Sequence, residues 1–133
     1  MKRKSVTWLV FCVFLLSAAG CGATLADARK DKGKGTSRVY EASFETVWNA
    51  VHNAISEVGL MVVGDNKQER YILAEKEITA FSSGEKVAVF VDEVDGMRTK
   101  VEVVSKKAMA TNILAWNWEK PVLDKIEEIL KRK

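Results

Sequence analysis

Cys21 carries the most specific chemical signal in the sequence. It follows the small residues 17–20, which come after an apolar run over residues 6–16 and the three cations at positions 2–4. A positive, an apolar and a small segment in this order are typical of a secretory signal peptide. A thiol directly after such a segment is the nucleophile to which diacylglycerol can be joined. The sequence therefore predicts a lipoprotein signal peptide over residues 1–20 and lipidation of Cys21.

Residues 18–21, Ala-Ala-Gly-Cys, resemble a bacterial lipobox, with Ala18 at the position where Leu is usual. Two alternatives stay open, namely cleavage by an ordinary signal peptidase with Cys21 free, and a permanent membrane span. Residues 6–19 would make only about 21 Å of helix at roughly 1.5 Å per residue, which is short for a hydrocarbon core of about 30 Å. In a Gram-negative host, Gly22 after the cysteine favours the outer membrane, facing the periplasm. Cys12 leaves with the signal peptide, so no intramolecular disulfide is expected.

The other residues that could do chemistry lack partners at the spacing a site needs. His52 has no cysteine or carboxylate at helical spacing, so we expect a histidine at the flank of a helix rather than a metal ligand. The acidic group Asp92, Glu93 and Asp95 matches no calcium loop and is interpreted as a solvated turn.

No serine stands in a nucleophile motif. Ser43 is expected to cap a helix, Ser56 lies within that helix, and Ser82 and Ser83 lie in a turn. The glycines form no phosphate-binding loop. The sequence therefore predicts no catalytic residue, no cofactor and no metal site, and an envelope hydrolase is disfavoured.

The charge distribution argues against nucleic acid as a partner. The chain of 133 residues has a formal charge of +3, and the three cations at positions 2–4 account for all of it. The rest of the chain carries equal numbers of basic and acidic residues. Binding to phosphates needs a surplus of cations on one face, so no nucleic-acid binding is expected.

Composition divides the remaining chain into a tether and one domain. Residues 22–37 contain no aromatic residue and only Leu25 as a large apolar side chain, so residues 21–37 are predicted to be the lipidated cysteine and a flexible tether. The cations of this segment, Arg29, Lys30, Lys32 and Lys34, suit either a solvated spacer or contact with anionic headgroups. Residues 38–133 are predicted to form a single globular domain.

The hydrophobic pattern of this domain predicts two helices and a meander of strands. After a strand at 38–42, a stripe from Phe44 to Val58 predicts a helix that Gly59 ends. Strands are expected at 60–63, 71–74, 87–91 and 99–103, and a last helix at 118–130 with Asn117 as its cap. The order β-α-β-β-β-β-α favours a two-layer α+β fold. Its antiparallel sheet of four to five strands carries both helices on one face and leaves the other open to solvent or a partner.

A resemblance covers nearly all of this domain. Residues 39–51, VYEASFETVWNAV, followed by Gly59-Leu60 and Asp65, are similar to the opening of a family of small bacterial lipoproteins. They also resemble the repeated domains of the outer-membrane assembly lipoprotein BamC. The resemblance implies a helix-grip-like domain in which long helices lie across a curved antiparallel sheet. It implies no catalytic residues.

Two functions fit these expectations. The first is a non-enzymatic, lipid-anchored periplasmic module that binds another envelope protein. The alternative is a carrier or sensor of a small apolar ligand held between the helix layer and the sheet. Trp118 is expected to close the core, whereas the pattern does not decide the role of Trp116. The aromatic residues that would line the ligand cavity are Phe44, Trp48, Phe81, Phe90 and Trp118.

Overall fold

The computed structural model describes residues 24–80, 82, 84–107 and 115–132. The described residues form a five-stranded antiparallel sheet in the order β1-β5-β4-β3-β2, together with three helices. The predicted α+β class and antiparallel sheet are confirmed. The elements in chain order are α1 (Leu25–Lys30), β1 (Thr36–Tyr40), α2 (Phe44–Glu57), β2 (Met61–Asn66), β3 (Tyr71–Glu75), β4 (Lys86–Asp95), β5 (Arg98–Lys106) and α3 (Glu119–Lys131).

Helix α2 forms where the stripe predicted it. The Ser43 hydroxyl accepts a hydrogen bond from the Thr46 N–H at 3.4 Å, which caps the first turn. Gly59 follows the last turn with φ of +83°, the left-handed conformation that ends helices at low cost for glycine. Val47, Val51 and Ile55 are fully buried. Local capping and the apolar stripe therefore agree on this element.

Helix α3 lies beside α2 on the same face of the sheet. It begins at Glu119, one residue later than predicted, and Trp118 rather than Asn117 occupies the N-cap position. The Asn117 side chain accepts from the Glu119 N–H at 2.8 Å, so it stabilises the turn that enters the helix. Pro121 lies in the first turn, where its missing N–H costs no helical hydrogen bond.

One core fills the space between the two long helices and the sheet. Alternate residues of the central strands point into it, because side chains of a strand alternate between its faces. The strand residues that contribute are Ile72, Ala74, Val87, Val89, Val91, Val101 and Val103. Trp118 packs against this core in a partly buried position, in agreement with its predicted role.

Helix α1 packs on part of the opposite face of the sheet, which corrects the prediction of an open face. Of the tether predicted over residues 21–37, the described residues 24–37 include this helix and the start of β1. Ala28 is fully buried in a second cluster with Ala88, Phe90 and Val104. Thr24 and Asp27 form a capping box, in which the Asp27 N–H donates to the Thr24 hydroxyl at 3.2 Å. Strand β1 also begins at Thr36, ahead of the predicted start at 38. The capping box and the buried Ala28 are two of the contacts that order this polar segment against the sheet.

Tyr40 joins β1 to α3 and predicts a pH-dependent stability. Its buried hydroxyl donates to the Leu123 carbonyl at 2.7 Å, and burial raises the pKa of Tyr40 above its usual value of 10.0. The folded state therefore favours the neutral phenol, and stability falls as the pH rises above about 10 towards the raised pKa. We expect Tyr40→Phe to cost about 1 kcal/mol at neutral pH. The difference in unfolding free energy between Tyr40→Phe and the natural protein, measured by urea unfolding, should become smaller above pH 10. A difference that stays constant over this pH range would contradict this role of the hydroxyl.

Candidate interaction surface

Side chains of α1 and of the turn after it hold this segment against the sheet. The Arg29 guanidinium lies 4.3 Å from the centre of the Tyr71 ring and pairs with Glu69. The Lys32 ammonium lies 2.9 Å from an oxygen of Asp92. All three partners lie in or next to β3 and β4, so the first part of the segment is fixed across the middle of the sheet.

The residues after α1 are fixed to β5. Glu102 is only 5% exposed, and its carboxylate accepts from the Gly33 N–H at 2.6 Å and from the Gly35 N–H at 3.1 Å. Asp31 pairs with Lys106, and this hydrogen bond lowers the pKa of the Asp31 carboxyl, with Lys34 adding to the effect. A carboxyl whose pKa is lowered in the folded state stabilises that state above its usual pKa, so the contact weakens as the solution becomes acidic.

A groove lies beside α1 on this face of the sheet. It has a volume of about 390 Å³ and is lined by Ala26, Arg29, Lys30 and Leu73. We call it the α1 groove. Met61 is half exposed. It pairs with Glu75 of β3, two residues from Leu73, so its side chain lies on the same side of the sheet as that of Leu73. The groove therefore combines an apolar floor with two cations at its rim.

The β2 edge of the sheet exposes three consecutive apolar residues. Met61, Val62 and Val63 are all exposed, and a register shift between Val62 and Gly64 places Val63 in a bulge. On the opposite edge strand, β1, the exposed residues are Thr36, Ser37 and a single apolar residue, Val39, which is 50% exposed. Its Arg38 pairs with Asp124 and Glu127 of α3. Natural sheets normally protect their edges with charge, so β2 is the less protected edge.

Two large apolar side chains lie at the end of the sheet where β2 begins. Ile78 is 76% exposed and follows the end of β3 by three residues. Trp116 is 63% exposed and lies two residues before Trp118, whose ring centre is 5.7 Å from the Lys76 ammonium. Lys76 in turn donates to the Gly59 carbonyl at the entrance to β2. We name Val62, Val63, Ile78 and Trp116 together the β2-edge surface.

His52 lies at the flank of α2, as predicted. Its Nε2 atom is 3.1 Å from an oxygen of Asp65 in β2, and its ring lies 5.6 Å from that of Trp48. The sequence missed the carboxylate because it comes from another element, 13 residues further along the chain. No group of three His, Cys, Asp or Glu side chains suited to a metal occurs among the described residues.

The carboxylates of the acidic group in the β4–β5 hairpin do not point to a common site. Asp92 faces Lys32, whereas Asp95 accepts from the Met97 N–H at 2.9 Å and from Arg98 at 2.8 Å. The Met97 hydrogen bond, followed by that from Arg98, lowers the pKa of Asp95. These contacts stabilise a hairpin turn, in agreement with the interpretation of the group as a solvated turn.

The serines have structural contacts. Ser43 caps α2, Ser56 is exposed in that helix, and the buried Ser82 hydroxyl donates to Glu85 at 2.6 Å. Ser83 lies outside the described residues. Glu85 is itself buried, so this pair stabilises the loop between β3 and β4.

The aromatic residues proposed to line a ligand cavity do not share one space. Phe90 lies on the α1 side of the sheet, whereas Phe44, Trp48 and Trp118 pack on the side of the long helices. Phe81 lies outside the described residues. The error follows from the strand period, because Phe90 stands between Val89 and Val91, which point to the other face. The predicted cavity lining is therefore wrong at Phe90.

Cys21 and the predicted signal peptide lie outside the described residues. No protein-family model matches the chain, and no curated protein matches it at a significant level. Among the helices that the structure describes, none is long and apolar enough to cross a membrane.

Proposed function

We propose that the protein is a non-enzymatic lipoprotein of the bacterial cell envelope that binds another envelope protein through its β2-edge surface. The observation that carries this proposal is the exposure of apolar side chains along β2 and at the adjoining end of the sheet. Apolar residues at an open edge are an aggregation hazard that natural sheets usually avoid. A partner that covers them removes the hazard and gives the exposure a use.

The β2 edge offers two kinds of contact to such a partner. Its outer backbone groups can hydrogen-bond to an extended segment, which is the mode known as strand addition. The bulge at Val63 limits the length of such a pairing. Ile78 and Trp116 would then supply the apolar anchors beside it, since large apolar and aromatic side chains carry much of the energy of interfaces.

The sequence supports a location in the cell envelope. A signal peptide over residues 1–20 and lipidation of Cys21 would attach the domain to a membrane, and Gly22 favours the outer membrane of a Gram-negative host. Two or more acyl chains anchor a protein stably, whereas one chain binds only marginally. The resemblance to small bacterial lipoproteins and to the BamC domains supports an accessory role in assembly.

The anchor is tested by a cysteine substitution. We expect Cys21→Ser to abolish incorporation of radiolabelled palmitate in the native host, because a hydroxyl cannot replace the thiol as nucleophile. Cys12→Ser is the matched control, since Cys12 lies within the predicted signal peptide and should leave labelling unchanged. Equal labelling of the Cys21→Ser variant and the natural protein would overturn the proposed lipidation.

The partner is tested by charge on the β2-edge surface. We expect Val63→Asp combined with Ile78→Asp to reduce, at least several-fold, the recovery of one stoichiometric envelope protein after crosslinking in the host. Both side chains are exposed, so the domain should remain folded. The control is Lys120→Asp, an exposed change on α3. Equal recovery with the double variant and the control would show that the partner binds elsewhere.

A further inference from the structure

We infer that α1 and the α1 groove lie against the lipid surface of the membrane that carries the anchor. The inference rests on the proposed lipidation of Cys21. It assigns the remaining uncovered part of the sheet to lipid, and it leaves the β2-edge surface to the protein partner.

The first step is the reach of the chain between the anchor and the domain. Cys21 and Thr24 are three residues apart, and a chain extends by at most about 3.6 Å per residue, so the two Cα atoms lie within about 11 Å. A domain of roughly 110 residues has a radius of gyration of about 13 Å. Helices α2 and α3 lie on the other side of the sheet from α1. An orientation with α2 and α3 against the bilayer and α1 pointing away from it would therefore place Thr24 too far from an anchored Cys21.

The second step is that α1 belongs to the folded domain. Ala28 is fully buried against the sheet, and the Gly33 and Gly35 N–H groups bind the buried Glu102. The segment therefore does not act as a long flexible spacer. An anchor at Cys21 would restrict the orientation of the whole domain as well as its distance from the membrane.

The third step is the chemistry of the surface beside α1. Leu73 and Ala26 provide apolar contact, and the half-exposed Met61 lies on the same side of the sheet. Two cations stand at the rim, Lys30 and the Arg29 that pairs with Glu69, and cations near a membrane surface are attracted to lipid phosphates. None of the large apolar side chains exposed in the described part of the chain belongs to α2 or α3. The α1 side is thus the better match to a lipid interface.

The experiment uses the mature lipoprotein, purified from its host and reconstituted in vesicles of phosphatidylethanolamine and phosphatidylglycerol. Single cysteines are placed by Lys30→Cys in α1 and by Lys120→Cys in α3 and are labelled with a fluorophore. Phospholipids carrying a nitroxide near the headgroup then quench labels that lie close to them. We expect quenching at position 30 to exceed quenching at position 120 several-fold.

Equal quenching at the two positions, or stronger quenching at position 120, would overturn the inference. Flotation of the same vesicles separates this result from a failure of the anchor. Protein that floats but shows no preference for position 30 contradicts only the orientation. Protein that does not float contradicts the anchor and removes the basis of the orientation as well.

A second variant tests the groove itself. Ala26→Glu, introduced beside the label at position 30, places a carboxylate at the apolar floor of the α1 groove and should reduce the quenching at least two-fold. Asn53→Glu, at an exposed position of α2, is the matched control and should leave it unchanged. Undiminished quenching in the Ala26→Glu protein would show that the groove does not contact lipid.

Discussion

A Gly35→Ala variant is expected to separate the segment before β1 from the rest of the sheet. A Cβ atom at this position would overlap the Val103 carbonyl oxygen and lie 2.7 Å from the carbonyl carbon and 2.9 Å from a methyl of Val104. Val103 is held in β5 between two neighbouring strands, so its backbone cannot move cheaply. We expect a loss of unfolding free energy at or above the upper end of the roughly 1–3 kcal/mol typical of overpacking. Urea unfolding followed by tryptophan fluorescence measures this loss.

Gly64→Ala is the matched control for this change. Gly64 also lies in the sheet, but nothing stands within 4 Å of a Cβ built at that position. Alanine there should leave stability unchanged or raise it by up to about 1 kcal/mol, because glycine loses more conformational freedom on folding. If Gly35→Ala unfolds at the same urea concentration as Gly64→Ala, the backbone at Gly35 does not lie in close contact with the Val103 carbonyl of β5.

The parts of the fold that the sequence predicted are those in which local and global signals agree. In α2 the cap, the apolar stripe and the terminating glycine all specify the same helix. The strand predicted at 99–103 likewise lies within β5, where Val101 and Val103 are in the core. Strand boundaries were less accurate. Strand β4 continues past its apolar run to Asp95 in the charged hairpin, where backbone pairing goes on without burial and the hydropathy pattern does not indicate a strand. Strand β5 instead extends at its other end, through the buried Val104 to Lys106.

Helix α1 was missed because composition alone decided the prediction for residues 22–37. A polar segment with one large apolar side chain has little surface to bury, which normally means disorder. The signal that could have found the helix is Thr24 with Asp27, three residues apart, which has the spacing of a capping box. Even so, a helix of six residues is not stable alone. Its order depends on contacts with β3, β4 and β5 that are distant in sequence.

The candidate surface was only partly predictable for a similar reason. The sequence indicated that one sheet face would lack the long helices, but it did not indicate which strand would form each edge. Because β1 pairs with β5, it forms one edge of the sheet, and there Arg38 pairs with Asp124 and Glu127 of α3. Strand β2 forms the other edge. Exposure of Val62 and Val63 is a consequence of strand order, which hydropathy does not encode.

An Ala28→Asp variant should release α1 from the sheet. Ala28 is fully buried against Ala88, Phe90 and Val104. The cations nearest to this cluster, Lys32 over the Phe90 ring and Arg29 over the Tyr71 ring, are already paired with Asp92 and Glu69. An unpaired buried charge costs about 3–5 kcal/mol, which a six-residue helix cannot offset, so undocking is the cheaper response. Hydrogen exchange should show loss of protection for residues 26–35. The main core lies on the other face and should remain folded.

Trypsin provides an independent measurement of the same release, because α1 and the turn after it contain four cleavage sites at Arg29, Lys30, Lys32 and Lys34. Ala26→Asp is the matched control. Ala26 is exposed in the first turn of α1, where an added carboxylate also favours the helix dipole, so this variant should resist cleavage as the natural protein does. If the Ala28→Asp protein resists trypsin equally, α1 is not held by Ala28, and the fixed orientation inferred for the anchored domain loses its structural basis.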